Sequence, residues 1–305
     1  MARVAIVIVT WNSAAEIGGC LDALAGLPAD QIDVVVVDNA SADATREKVA
    51  AHGVRLIANS TNAGFAAAVN QGVRASSAPL ILLLNPDAHL RGGLDALAAR
   101  FDDPTTGVAG GLLLGESGNP QKGFMARNLP TPAALIFEVL GINRIWPRNP
   151  VNWHYRCRGL DPMTAALVDQ PAGAFLMFSR DVWQRVGGFD ERFHPIWFED
   201  VDFCARVKAA GFRIWYEPDA VAKHTGAHSI RALPLENRER YWYGSLLEYA
   251  AKHFSSVSFR TICLAVAAGA AFRAAGVPRR GPRAFAVYGS LAGLALGRLF
   301  SPRGK

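Results

Sequence analysis

The chain has 305 residues, of which 50% are hydrophobic and 19% charged; that allows one large domain or a domain with an appendage, and excludes a mostly disordered chain. Its net charge of +6 is uneven, because Tyr249 to Lys305 holds 9 Lys or Arg and no Asp or Glu, leaving −3 on the first 248 residues. The four cysteines (Cys20, Cys157, Cys204, Cys263) form no CxxC pair, which argues against a zinc site or disulfide framework and for reduced thiols in a cytoplasmic setting.

The first apolar run, Val4 to Val9, is too short for a signal-peptide core and reads as a β-branched strand covered on both faces. "SAAEIGGCLDALAGL" follows with Ile17, Leu21, Leu24 and Leu27 at helical spacing. "IDVVVVDNAS" predicts a second strand, and "ADATREKVAAHG" a helix stopped by Gly53. "VRLIANS", "GFAAAVNQGVRAS" and "PLILLLN" continue as strand, helix and strand. This βαβαβαβ order predicts a right-handed, mostly parallel α/β sheet flanked by helices.

Such sheets bind ligands beyond the carboxyl ends of their strands. Here those ends are Thr10-Trp11-Asn12, Asp38-Asn39-Ala40-Ser41, Asn59 to Asn62, and Asn85-Pro86-Asp87. "TWNSAAE" stands where a dinucleotide-binding GxGxxG would, and no Walker A motif is present; "GVAGGLLLG" reads as a strand and turn.

From about Gly115 to Asp169 the chain is less periodic and richer in Pro, Asn and Arg. It reads as an insertion beside the sheet that contributes to an acceptor pocket. A second ordered block, Val168 to His228, predicts a strand ("GAFLMFSR"), a short helix ("RDVWQRVGG"), a loop ("FDERFHPIW"), a helix ("FEDVDFCARVKAAG") and a strand ("FRIWYEPDAVAKH").

After His253 come "ICLAVAAGAAF" and "AFAVYGSLAGLALG", 11 and 14 uncharged residues, both short of the roughly 18 expected of a spanning helix. Arg273, Arg279, Arg280, Arg283, Arg298, Arg303 and Lys305 surround them. Short apolar helices with basic flanks suit the surface of an anionic leaflet; packing on the catalytic domain or on a second copy of the chain is the alternative. The basic residues lie among apolar runs without aromatic platforms or a reader motif, so nucleic acid is not an expected partner.

Two clusters can do chemistry. Glu199, Asp200 and Asp202 open a helix, where acids complement the dipole and cap free N–H groups. Trp197, Phe198 and Phe203 flank them, and a poorly solvated carboxylate has a raised pKa and becomes a base near neutral pH. His224 ends a strand, which alone is the position of a structural histidine. With Asp87 it makes the alternative, a Mg²⁺ or Mn²⁺ ion held by one carboxylate, one imidazole and phosphate oxygens.

In order and spacing these motifs resemble the family 2 glycosyltransferases over about Val4 to His253. "VTWN" resembles the family's first nucleotide-contacting turn, and "VVVVDNASADAT" the second-strand motif whose Asp contacts the base. "NAGFAAAVNQG" is similar to its N-x-G-F/Y-x-x-x-x-N segment, and "NPD" stands at its DxD with Asn85 replacing the first Asp. "GGFDERF" and "WFEDVDFCARVKAAG" resemble its acceptor-side motifs.

The resemblance implies the GT-A fold of nucleotide-diphospho-sugar transferases over residues 1–254, with residues 255–305 as a basic helical appendage. It implies Asp200 as general base with Glu199 in support, and a nucleotide-sugar site of Thr10, Asn12, Asp38, Asn39, Ser41, Asn62, Gly64, Asn70 and Asn85. It also implies a divalent cation on Asp87 and His224, and an inverting transfer from a nucleotide-diphosphate sugar to a lipid-linked or polysaccharide acceptor of the cell envelope. "WPRNP", Trp146 to Pro150, resembles rhamnosyltransferases that use dTDP-L-rhamnose; a packed Pro-rich turn is the alternative. A nucleotidyltransferase, or a binding module without turnover, are the competing readings. The expected location is the cytoplasm, peripheral on the inner face of the membrane.

Overall fold

The computed structural model describes residues 3–226, 233–275 and 282–300. The chain forms two compact units, and the first comprises Met1–Leu129, Arg156–Pro195 and Glu199–Ala232. Its strands are β1 (Val4–Thr10), β2 (Ile32–Asp38), β3 (Arg55–Ala58), β4 (Leu80–Leu84), β5 (Ala88–Gly92) and β6 (Thr106–Leu114), then the short β7 (Ala126–Arg127), β8 (Ala166–Leu167) and β9 (Gln170–Pro171), and finally β10 (Phe175–Ser179) and β11 (Arg213–His224). Its helices are α1 (Ile17–Leu24), α2 (Thr45–Ala51), α3 (Phe65–Arg74) and α4 (Leu94–Ala99), followed later in the chain by α8 (Arg180–Val186) and α9 (Glu199–Ala209).

One sheet runs in the order β3-β2-β1-β4-β10-β6-β11-β5, with β8 added on β11. Every residue of β1 and β4 is buried, as continuous apolar runs require when helices cover both faces. The parallel register pairs Val4 with Ile32 and Thr10 with Asp38, and carries Asp38 on to Ala58 of β3. Polar strand ends therefore emerge together on one edge. Helix α3 lies close on this sheet, because a Cβ on Gly72 would come within 2.4 Å of Val7 Cγ1.

The first four sheet strands are the parallel array that the sequence predicts. Strand β10 then runs antiparallel between β4 and β6. Strand β5, which the sequence did not predict, runs antiparallel along β11 and pairs Ala88 with His224.

The second unit comprises Pro130–Tyr155, Ile196–Phe198 and Leu233–Lys305. It holds α5 (Pro132–Val139), α6 (Ile142–Ile145), α7 (Pro150–Tyr155), α10 (Leu235–His253), α11 (Ser256–Ala275) and α12 (Pro282–Phe300). The 115–169 segment is thus not one insertion, since residues 130–155 cluster with the C-terminal helices. Thr131 caps α5 by accepting from Ala134 N–H at 3.2 Å, with Pro132 at the favoured first position. Its C-terminus is closed by Arg273, whose Nη1 donates to the Val139 carbonyl at 2.7 Å. "WPRNP" is a hydrogen-bonded turn: Asn149 Nδ2 donates to Asn143 Oδ1 at 2.9 Å, and Asn152 Nδ2 to the Pro147 carbonyl at 2.7 Å.

Helix α11 has 20 residues and a mean hydropathy of 1.4 over its most apolar 18-residue window, long and apolar enough to cross a membrane by length and composition alone. The sequence expectation was shorter because it stopped at charged residues, whereas the helix continues through Arg260 and Arg273. Of its most apolar window, 44% is buried within the protein. Arg279, Arg280, Arg303 and Lys305 lie outside the described residues.

Candidate active site

At the end of β2, Asp38 is completely buried, and protein donors engage both its oxygens. Thr10 Oγ1 donates to Oδ1 at 2.9 Å, and the Ser41 hydroxyl donates to the same atom. Ser41 N–H and Arg46 Nε reach Oδ2 at 3.0 and 2.6 Å. Burial pushes the carboxyl pKa up, but these bonds outweigh it and hold the group below its ordinary value.

The same turn is latched to β1. Asn12, in the left-handed region at φ 50, donates its N–H to Ser41 Oγ and accepts from Ala42 N–H through Oδ1, both at 2.8 Å. Asn39 Nδ2 donates to the Gly64 carbonyl at 3.1 Å, and Asn62 Oδ1 accepts from Gly64 N–H at 2.9 Å. Gly64 sits at φ 87, and a Cβ there would meet His194 Cδ2 at 2.8 Å, so the position suits only glycine. The structure thus brings Thr10, Asn12, Asp38, Asn39, Ser41, Asn62 and Gly64 into one network.

Asn70 is elsewhere. It is buried on α3, its Nδ2 donating to the Phe189 carbonyl and Glu191 Oε1, its Oδ1 accepting from Trp183 Nε1 and Phe189 N–H. Its amide is spent on the loop after α8.

Asp87 and His224 meet. His224 Nε2 lies 3.4 Å from Asp87 Oδ1, and both side chains are almost fully buried. Burial raises the Asp87 pKa, yet the imidazole beside it leaves the carboxyl below its ordinary value. On its other side, His224 Nδ1 is 3.0 Å from Gln121 Oε1, and the Phe124 ring stacks on the imidazole at 5.2 Å. Among the described residues no three His, Cys, Asp or Glu side chains form a metal cluster. A carboxylate beside an imidazole suits a hard divalent cation that takes its remaining ligands from water and phosphate. Asn85 enters this region through its backbone: its N–H donates to the Ala174 carbonyl at 3.0 Å, and its carbonyl accepts from Ala88 N–H at 3.0 Å.

The three acids of α9 separate cleanly. Asp202 is buried and paired with Arg206 at 2.8 Å, a structural ion pair. Glu199 is buried in the first turn. Asp200 Oδ2 accepts from Gln170 Nε2 and Gly173 N–H, both at 3.0 Å, and Oδ1 accepts from Val201 N–H at 2.8 Å. Burial nevertheless raises its pKa, against the pull of those amides and of the Arg127 charge. The aromatic neighbours in sequence are not the cause throughout, because Phe198 packs in the second unit against Trp242 and Tyr249. Trp197 and Phe198 both adopt left-handed φ, 79 and 68, a strained approach to α9.

The two clusters are linked. Gly173 holds Asp200, and its neighbour Ala174 holds Asn85, two residues before Asp87. Arg127, whose charge acts on Asp200, lies with its guanidinium 5.8 Å from the centre of the Phe124 ring, the ring that stacks on His224. Gln121, Phe124, Gln170 and Gly173 were not picked out in sequence, where a lone amide, ring or glycine carries no spacing signal.

Comparisons with known proteins agree with this architecture. The model of "Glycosyl transferase family 2" matches residues 5–182, and that of "Glycosyl transferase family group 2" matches residues 151–300. An N-acetylglucosaminyl-diphospho-decaprenol L-rhamnosyltransferase of Mycobacterium tuberculosis is 30% identical over 266 residues, 81% of this chain and 84% of that protein. A pre-mycofactocin glycosyltransferase of the same organism is 29% identical over 82% of this chain and 48% of its own length. Among solved structures, a mannosyltransferase of Pyrobaculum calidifontis in complex with GDP-Man and Mn²⁺ superposes with a TM-score of 0.53 and 21% identity, covering 96% of this chain and 80% of that one. That last likeness shows the fold, which is GT-A.

Proposed function

The chain belongs to glycosyltransferase family 2, and from that premise we propose that it transfers L-rhamnose from dTDP-L-rhamnose to a hydroxyl of a polyprenyl-linked glycan acceptor, with inversion. That it is a glycosyltransferase using a nucleotide-sugar donor follows from the family and the relatives. The sugar and acceptor rest on one observation, the 30% identity along 84% of an L-rhamnosyltransferase whose name specifies a diphospho-decaprenol acceptor.

In this reading Asp200 takes the proton from the acceptor hydroxyl. Gln170 and Gly173 fix Oδ2, Val201 N–H takes one lone pair of Oδ1 and leaves its other for the proton, and a raised pKa makes that transfer favourable. Asp202, locked on Arg206, is not available as a nucleophile, which supports the reading of a single displacement. Asp87 and His224 would hold Mg²⁺ or Mn²⁺, which when bound stabilises charge on the diphosphate leaving group. The Asp38, Asn12 and Asn39 network shapes the nucleotide end of the site. Residues 1–254 form the catalytic part in this proposal, and the basic helices of 255–305 hold it at the inner face of the membrane, where a polyprenyl acceptor is presented.

The test is transfer from dTDP-, UDP- and GDP-sugars to a GlcNAc-diphospho-polyprenol, with the product anomer read by NMR. Rhamnosyl transfer with inversion is expected, and chelation of divalent cations should stop it. Transfer from another nucleotide sugar alone would remove rhamnose, and a chelator-resistant rate would remove the cation.

A further inference from the structure

We propose that Gln121 is a positioning residue which locks His224 in the Nδ1–H tautomer, so that Nε2 presents its lone pair beside Asp87 to a divalent cation. The inference rests on the cation-site reading above and assigns a role to a residue outside it.

The argument starts from what each atom can do. Gln121 Nε2 donates to the His224 backbone carbonyl at 2.8 Å. A carbonyl oxygen only accepts, so the amide end facing it must be the NH₂. The other end is therefore the amide oxygen, and it lies 3.0 Å from His224 Nδ1. An oxygen facing that nitrogen requires Nδ1 to carry the hydrogen. A neutral imidazole has one N–H, so Nε2 is left as the lone-pair atom, 3.4 Å from Asp87 Oδ1. Nδ1 keeps its hydrogen whether or not Nε2 also carries one: a second proton on Nε2 would answer the Asp87 carboxylate, and a divalent cation would take the place of that proton.

The lock is built from the fold. Gln121 N–H donates to the Leu113 carbonyl at 2.9 Å, and the Gln121 carbonyl accepts from Phe124 and Met125 N–H, both at 3.0 Å. Strand β6, which ends at Leu114, pairs with β11 up to Lys223, next to His224. The histidine and its partner amide thus leave the same strand pair. Phe124, three residues beyond Gln121, stacks on the imidazole with only 4° between ring planes. The amide fixes which nitrogen bears the proton, and the phenyl ring fixes the plane in which the other one points.

The tautomer is read without metal or substrate, by long-range ¹H–¹⁵N NMR of the imidazoles in mildly alkaline buffer, with His224→Ala assigning the signal. The wild type should show Nδ1–H at His224. Gln121→Leu should yield mainly the other tautomer or a mixture, and Gln121→Glu, which keeps an acceptor, should retain it. In parallel, Mn²⁺ is titrated alone and with dTDP and followed by electron paramagnetic resonance. Gln121→Leu should weaken Mn²⁺ binding about 10- to 100-fold, as loss of such outer partners does, and Gln121→Glu should bind near normally. An Nε2–H tautomer in the wild type overturns the proposal, even if Gln121→Leu fails to fold. Equal Mn²⁺ affinity in all three proteins removes the role of Gln121 alone, whereas a wild type that binds no Mn²⁺ under either condition removes the cation-site reading beneath it.

Discussion

The Gly173 amide donates to Asp200 Oδ2 at 3.0 Å, and a Cβ on Gly173 would lie 3.1 Å from that same oxygen. The absence of a side chain is therefore part of how the carboxylate is placed. Gly173→Ala should push Asp200 aside by a few tenths of an ångström. Because misplaced catalytic groups cost rate steeply, kcat should fall roughly 10-fold while the KM for donor changes little. Steady-state kinetics check this, and an unchanged kcat would show that Asp200 has no need of that contact.

Asp200→Asn keeps an acceptor for Gly173 but removes the proposed base. General-base contributions put the expected loss of kcat at about 10²- to 10⁴-fold. Thermal stabilisation by dTDP-sugar should survive in this variant, because no donor contact is removed. A rate within a few-fold of wild type would take the base role away from Asp200.

The pH dependence has a definite sign. Burial raises the Asp200 pKa above its ordinary value of 3.8, and in the proposed role a base works only when ionised. Activity should therefore fall as pH drops through that raised value. Arg127 opposes the shift by favouring the anion, so Arg127→Met should move the acid limb of kcat/KM to higher pH. Movement the other way would mean that Arg127 acts on a different group.

For Asp38 the expected effect is on stability. Its folded pKa lies below 3.8, so the stabilisation from Thr10, Ser41 and Arg46 is complete above that pH and is lost as pH falls through the lower folded value. Asp38→Ala removes these bonds, with Arg46 partly exposed and still held by the Asn59 carbonyl, and should cost roughly 1–2 kcal/mol at neutral pH. Urea denaturation of both proteins should show that gap closing only in strong acid. A variant as stable as wild type at pH 7 would mean the four bonds contribute no net stability.

What could be read in sequence divides along physical lines. Strands β1, β2 and β4 were legible because a strand buried on both faces needs an unbroken apolar run, and "VAIVIVT" can hardly be anything else. Strand β5 was not, since "AHLRG" is short, half polar and follows Asn-Pro-Asp, a turn signal that outweighs it. The identity of Asp87, His224 and Asp200 came from motif order. What separates them is their partners: Gly173 for Asp200 and Gln121 for His224, both far away in the chain, whereas the neighbouring acid Asp202 pairs with Arg206 one helical turn on. Asp38 was expected at the nucleotide base, and the sequence shows the acid but not the two hydroxyls and guanidinium that fold onto it. The length of α11 was missed because a charged residue ends an apolar run on paper, while a helix carries Arg260 on its exposed side without interruption.

The pairing of Ala88 with His224 across β5 and β11 has one more consequence. Asp87 is joined to Ala88 by a peptide bond, so the gap between carboxylate and imidazole is set by a backbone ladder rather than by side-chain reach. Sliding that ladder by one residue would turn His224 to the opposite face of the sheet. The pair is therefore either whole or lost. Amide hydrogens along this strand pair should exchange together, and the proposed capacity to hold an ion should vanish in a single step with the opening of the sheet rather than fade as the protein warms.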